Sequence, residues 1–331
     1  MDFQLSDDQR ALRSGMRDLL DAVFDRDRLR AAVDRGGAPD RALWRELGAA
    51  GFFALRLPEE AGGVGLGLPE AVLLFEEAGR ALLPGPLVAT HLAAGLVRGA
   101  AEGEAVVTAV DGGLPVAHLA AADAVLVGAD ALTGEELRAF VAAARPVRSM
   151  DPLTPLHQVE GRAAAAEAYP GALRYEGALL TAAEQLGSAA RTTETAVQHA
   201  GEREQFGSPI GSFQAVKHLC ADMLARTEPA RAAVYAAAVT GDPVEIAAAK
   251  LLADDAAVRN ARDCLQIHGG MGFTWEADVH LHLKRAWLRS ASLLGRAAAE
   301  ELLAAGLGAA RPLPGGSAAP GPGAREAGGG G

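Results

Sequence analysis

The chain has 331 residues, of which 50% are apolar but only 5% aromatic, and it carries a formal net charge of −11. The acidic balance excludes a nucleic-acid binder or a protein held on an anionic membrane, since both need a basic face. Abundant alanine, which packs helix against helix at no side-chain entropy cost, points to helices more than sheets. No uncharged apolar run approaches the roughly 20 residues of a membrane span, and Met1-Asp2-Phe3-Gln4 lacks the basic region of a signal peptide. The expectation is a soluble, cytoplasmic protein. Two cysteines, Cys220 and Cys264, cannot form a disulfide framework, and both fall inside helical patterns where buried structural thiols are expected.

Ser6 with Gln9 makes a capping box, and Asp7 and Asp8 sit at the positive end of the dipole of a first helix. Its core-facing stripe is Leu12, Met16, Leu19, Leu20 and Val23. Leu43, Trp44 and Leu47 mark a second helical pattern that breaks at the turn around Gly51. Pro58 to Gly67 reads as a loop, and a helix from Pro69 to about Leu83 follows; residues 1–103 form an N-terminal helical domain. Residues 104–170 change character. Short apolar runs at Ala105 to Val110 and Ala124 to Ala129 predict strands of a reduced central β layer, packed on the helices.

Residues 171–307 return to long helices and predict a C-terminal four-helix bundle, so the fold class is mainly α. One helix is expected from about Ala172 to Gly201, and another from Ser212, taken as its N-cap, to about Thr240. Asp242-Pro243-Val244-Glu245 combines an N-cap, a first-turn proline and an N3 acid, and that helix should stop at Gly269-Gly270. A last helix is predicted over about Ala277 to Ala305, and residues 308–331 as a disordered tail too poor in apolar side chains to order itself.

General catalytic templates are absent: no P-loop, no G-x-S-x-G, no H-E-x-x-H. The GGVGLG run lacks the third glycine of a dinucleotide fingerprint and a preceding strand. His280 and His282, two apart on a helix, face different directions and read as solvated histidines, so no metal site is expected.

Three segments are more specific: LPEEAGGVGLGLPEAVLLFEEAGRALLPGPL (Leu57 to Leu87), EREQFGSPIGSFQAVKHLCADM (Glu202 to Met223) and QIHGGMGFTWEADVHLHLKRA (Gln266 to Ala286). In order and spacing they resemble the acyl-CoA dehydrogenase family, flavoproteins that desaturate acyl-CoA thioesters, over about residues 1–100 and 172–290. The resemblance implies FAD, with Arg203 of the R-x-x-F-G motif on the pyrophosphate and Phe206 and Gln214 on the same dinucleotide. Arginine suits that role because its planar fork pairs bidentately with phosphate oxygens. It further implies that Gln266, Gly269 and Gly270 of the Q-x-x-GG motif touch the cofactor of a neighbouring subunit.

Two family features have no counterpart. The glutamate that serves as catalytic base in the family would fall near Leu294, and the alternative base position used by a minority of the family around Gly177, with Glu176 and Glu184 near it. The T-E-P-x-A-G-S-D segment that meets the flavin ring has no match between Glu104 and Ala165. No catalytic residue is therefore assigned. This selective loss resembles the short subunit of actinobacterial heterotetrameric (α2β2) acyl-CoA dehydrogenases of the steroid type. The resemblance implies a longer family member as partner, supplying the carboxylate that removes the α-proton while the β-hydrogen leaves as hydride to flavin. It also implies an electron-transferring flavoprotein as acceptor. Two alternatives stand beside it: a self-sufficient homotetramer using Glu176 or another carboxylate, and a non-catalytic structural subunit of the same fold.

Overall fold

A computed structural model describes residues 4–161 and 171–309. The N-terminal part holds α1 (Asp7–Val23), α2 (Arg26–Asp34), α3 (Arg41–Ala49), α4 (Leu68–Arg80) and α5 (Leu87–Leu92). The Ser6–Gln9 capping box forms in both directions, and Met16 and Leu20 of the predicted stripe are buried. Asp25 and Asp40 cap α2 and α3 by accepting from backbone N–H groups, satisfying donors that a helix start leaves free.

Next come β1 (Val107–Ala109), β2 (Val116–Ala117), β3 (Ala124–Val127), β4 (Asp130–Leu132), α6 (Gly134–Ala143), β5 (Arg145–Val147) and β6 (Leu156–Gln158). They make two small sheets, ordered β1-β3-β4 and β2-β6-β5. The β1–β3 pair is parallel and the other pairs antiparallel. Val110, Val116, Leu119, Val125, Leu137 and Val159 form their own small core. So small a layer needs support from the helices, and receives it. Thr90 of α5 donates to the Val107 carbonyl at 3.1 Å and accepts from its N–H at 3.0 Å. Trp44 of α3 donates from Nε1 to the Ala105 carbonyl at 3.3 Å.

The C-terminal part comprises α7 (Ala172–Glu202), a hairpin of β7 (Glu204–Gln205) and β8 (Ser208–Pro209), α8 (Gln214–Thr240), α9 (Pro243–His268), α10 (Val279–Ala291) and α11 (Arg296–Ala309). Asp242 caps α9 as expected, accepting from Val244 and Glu245 N–H, and Gly269 ends it at φ +60°. Helix α4 crosses α7 at two glycines. A Cβ on Gly187 would run into the Glu76 carbonyl, and one on Gly79 into the Glu184 carbonyl, so both positions need the bare backbone.

Several expectations change. Ser212 does not cap α8: that position is Phe213, and Ser212 Oγ donates to Ser208 Oγ instead, because the chain first makes a short 3-10 turn over Ile210–Ser212. The single last helix is two, α10 and α11, broken where Leu293 takes φ +52°, a left-handed backbone that no α-helix continues through. Of the expected tail, Gly308 and Ala309 close α11 and the remainder lies outside the described residues. Among the described residues no helix is long and apolar enough to cross a membrane.

Candidate functional site

The six residues singled out for the dinucleotide lie at one end of the bundle, and all are exposed. Arg203 is the extended residue that ends α7, its N–H donating to the His199 carbonyl. Its guanidinium has no ion-pair partner among the described residues, the condition of a cation available to a diphosphate. Phe206 sits at the tip of the β7–β8 hairpin at φ +55° and is 94% exposed, its ring edge-on to Phe213 at 6.1 Å. Gln214 opens α8. Gln266 lies in the last turn of α9, and Gly269 and Gly270 open the following 3-10 turn, Gly269–Phe273, with open space where each Cβ would stand.

The sequence-distant pieces are held together by packing. His199 at the end of α7 stacks on His268 at the end of α9 with ring centroids 4.0 Å apart. Beneath them Ala196, Met223, Cys264, Leu265, Val279 and Leu283 form a buried cluster that Ile210 and Val216 join. Phe273 and Trp275 continue the exposed apolar surface, at 74% and 61% exposure.

A second region was not visible in the sequence. A cavity of about 230 Å³ opens between α5, the β layer, α7 and α10. Its walls carry Thr181 and Glu184 of α7, the stripe Arg285, Leu288 and Arg289 of α10, and Ser292, the residue that ends that helix. Arg289 Nη2 donates to Glu184 Oε1 at 2.6 Å, and Arg285 Nε to Asp151 Oδ2 at 2.5 Å. Behind them the fully buried Lys250 meets Asp254 at 2.5 Å and donates to the Arg289 carbonyl at 3.0 Å.

Burial disfavours every charge in this cluster. It raises the pKa of Glu184 against the opposing pull of Arg289, and lowers that of Arg289 to about 10. It pushes Lys250 down and Asp254 up, against their mutual attraction. Asp151 goes the other way: burial alone would raise it, but Arg285 and the Thr154 hydroxyl hold it below the ordinary carboxylate value. The signal that could have flagged the cluster is Glu184-Gln185 inside an otherwise small and apolar stretch of α7, with arginines four apart at 285 and 289.

The two places where the resemblance leads one to expect a base lie close together, and neither is acidic. Gly177 of α7 faces Leu293, beside Leu294, so that a Cβ on Gly177 would stand 3.3 Å from Leu293 Cδ1 and from Leu92 Cδ1. Glu176 turns away to Arg56, Oε2 accepting from Nη1 at 2.6 Å. Glu184, two turns along α7, is committed to Arg289.

The histidines expected in solvent are buried. His282 Nδ1 is 2.8 Å from Ser188 Oγ, and burial lowers its pKa to about 3. His280 lies edge-on to Trp275 with centroids 4.8 Å apart. Helix α10 packs on α9 and α7 and is flanked by the segment that precedes it, so residues facing apart both lose water. Cys264 is buried, its thiol pushed up to about 12, whereas Cys220 is only half-buried.

Comparison with known proteins identifies the architecture. Residues 6–102 match the acyl-CoA dehydrogenase N-terminal domain and residues 173–293 the acyl-CoA dehydrogenase C-terminal domain. The acyl-CoA dehydrogenase IpdE2 of Mycobacterium tuberculosis is 37% identical, over 78% of this chain and 84% of that protein. IpdE2 of Mycolicibacterium smegmatis is 36% identical, over 88% and 96%. Among solved structures, a variant of the Tcur3481-Tcur3483 steroid ACAD superposes with a TM-score of 0.74 at 25% identity, over 91% of this chain and 99% of that one. The ChsE4-ChsE5 complex from Mycobacterium tuberculosis superposes with a TM-score of 0.79 at 24% identity, over 94% and 100%. With both terminal domains matched in order around a reduced β layer, and relatives of this identity along most of its length, the chain belongs to the acyl-CoA dehydrogenase family of oxidoreductases.

Proposed function

We propose that this chain is the short subunit of a heteromeric, FAD-dependent acyl-CoA dehydrogenase that catalyses α,β-dehydrogenation of an acyl-CoA thioester. A longer family member is the proposed partner, supplying the catalytic carboxylate, and an electron-transferring flavoprotein the proposed electron acceptor. The observation that supports the reading is the meeting of Gly177 with Leu293 and Leu92, next to Leu294 in the chain: the place where a base is expected is apolar, while the surface expected to meet the dinucleotide carries an arginine, two glutamines and exposed aromatic rings. Steroid-type acyl-CoA is the proposed substrate class, on the likeness to a steroid ACAD.

The donor set fits the dinucleotide end of FAD. Arg203 offers a planar pair of N–H donors to a diphosphate, Phe206 and Phe213 offer apolar faces, and Gly269 and Gly270 let a ligand approach the backbone. Gln214, at the start of α8, would donate to the same group, and Gln266 would serve with the two glycines at the cofactor of an adjacent chain. FAD, when bound, supplies the acceptor for the β-hydrogen. This chain's own part is to hold and orient the dinucleotide and to keep water from it with Phe206, Phe273 and Trp275. None of its residues is assigned the α-proton.

The test is the visible absorption spectrum and native mass of the chain, purified alone and co-expressed with the longer family member. A colourless chain that becomes a yellow heterotetramer is expected. A chain that is yellow and tetrameric alone would overturn the shared site. Arg203→Ala in the complex should release flavin, and unchanged flavin content would mean a structural subunit.

A further inference from the structure

We infer that His199 and His268, stacked where α7 and α9 end, are a proton-linked anion element of the dinucleotide site. As a diphosphate settles beside Arg203, the pair takes up one proton and becomes a second cation there. This role rests on the reading of the chain as part of a flavin enzyme, and adds to it two residues and a pH dependence.

His199 lies in the last turn of α7, one turn before Arg203, whose N–H donates to the His199 carbonyl at 2.9 Å. His268 is the last residue of α9 and directly precedes Gly269 and Gly270. The rings are nearly parallel, 15° apart with centroids 4.0 Å apart. The pair thereby joins the two sets of residues proposed to meet a dinucleotide. His268 Nδ1 is 2.8 Å from the Cys264 carbonyl, which can only accept, so Nδ1 carries the hydrogen and Nε2 is open to a proton. Neither ring has an ion-pair partner among the described residues. Both stand in last turns of helices, where the backbone dipole favours a cation.

The surroundings keep His199 neutral until an anion arrives. Burial lowers its pKa from 6.5, and the His268 ring and Arg203 add to the lowering against the opposing pull of Glu202. The other charges nearby largely cancel. In the cavity that His268 lines, Arg17 pairs with Glu77 at 2.6 Å, Arg26 with Asp278 at 2.6 Å, and Arg80 with Glu194 at 2.5 Å. Asp25 caps α2, His282 is held neutral by burial, and Asp21 and Arg191 contribute one charge of each sign. Toward α8, burial keeps the Cys264 and Cys220 thiols protonated, and Asp263 is paired with Arg226. A diphosphate at Arg203 carries more charge than the guanidinium and reverses its effect, which favours the imidazolium. Two charged rings at this separation repel each other, so the pair gains one proton and shares it.

The experiment uses the complex with the longer family member, freed of flavin, and FAD as the probe, since its diphosphate stays ionised between about pH 6 and 8. Flavin fluorescence gives Kd, and calorimetry in two buffers of different ionisation enthalpy gives the protons taken up per FAD. Binding should be about 3- to 10-fold tighter at pH 6 than at pH 8, a shift of one pKa unit being worth tenfold. About half a proton or more should be taken up per FAD at the midpoint. His199→Phe/His268→Phe keeps two stacked rings that cannot titrate, and should abolish both the pH ratio and the uptake while holding the pH 8 affinity within roughly threefold. If that variant does not assemble, His199→Tyr/His268→Gln serves, because the glutamine amide can still donate to the Cys264 carbonyl. Equal affinity at both pH values without uptake, uptake that survives in the double variant, or a variant weakened equally at both pH values would each overturn the inference. A complex that takes no FAD at either pH refutes the proposed function instead. A complex that binds FAD through Arg203 with no pH dependence refutes this inference alone.

Discussion

Gly177 of α7 and Leu293, the left-handed residue between α10 and α11, lie in contact, with the position of a Cβ on the glycine 3.3 Å from Leu293 Cδ1. Two stretches of chain that are 116 positions apart by number thus close a small apolar surface at the edge of a cavity whose largely apolar wall includes Glu184, Arg285 and Arg289.

Different glycines of α7 should respond differently to a methyl group. At Gly177 the neighbours are the ends of leucine side chains, which can shift, so Gly177→Ala should change stability by less than about 1 kcal/mol, with the gain in helix propensity offsetting the tight contact. At Gly187 the neighbour is the Glu76 carbonyl, part of a helix backbone that cannot move alone. Gly187→Ala should cost about 3 kcal/mol or more. Urea unfolding of the two variants measures the contrast.

Lys250→Met should destabilise by about 3–5 kcal/mol, since it leaves Asp254 buried without its cation. The double replacement Lys250→Met/Asp254→Leu should recover most of that loss, because it removes both desolvated charges. A double-mutant cycle from denaturant midpoints reads the coupling, and a double variant no better than the single one would refute it.

Burial holds His118 and His282 neutral down to about pH 3 and His91 to about 4, all from an ordinary value of 6.5. In each case the unfolded chain binds the proton more readily than the folded one. The stability these neutral rings confer is therefore complete above 6.5 and lost as the pH falls from 6.5 toward the folded value. Each contributes a slope of about 1.4 kcal/mol per pH unit in that window. His282→Gln, which can still bond Ser188, should flatten the profile between pH 6 and 4 by roughly that amount per unit. An unchanged slope would mean that His282 protonates in the folded state.

Arg203→Ala should leave the thermal midpoint of the isolated chain unchanged, because the side chain is exposed and makes no ion pair among the described residues. A drop of several degrees would show that Arg203 is structural.

Local chemistry was legible. The Ser6–Gln9 box and the Asp242 cap each need residues no more than three apart, and both formed as read. So did the long helix beginning at Ala172 and the stop at Gly269, where a helical pattern and a glycine suffice. The break at Leu293 was not legible, since leucine is a good helix former and takes a positive φ there only because the surrounding contacts, among them its N–H donating to Asp111, hold it. The burial of His280 and His282 was likewise invisible, because period alone does not tell how many sides of α10 are covered.

The sequence by itself determined the helix starts and stops, the acidic surface, and the three motif segments whose order carries the family, for these depend on residues near one another along the chain. The tertiary structure alone decided that Arg285 finds Asp151 at 134 positions' distance, and Arg289 finds Glu184 at 105. It also decided that Gly177 meets Leu293. Pairing a buried charge or closing an apolar contact depends on which helices pack together, and that follows from the fit of whole faces, not from any local run of residues.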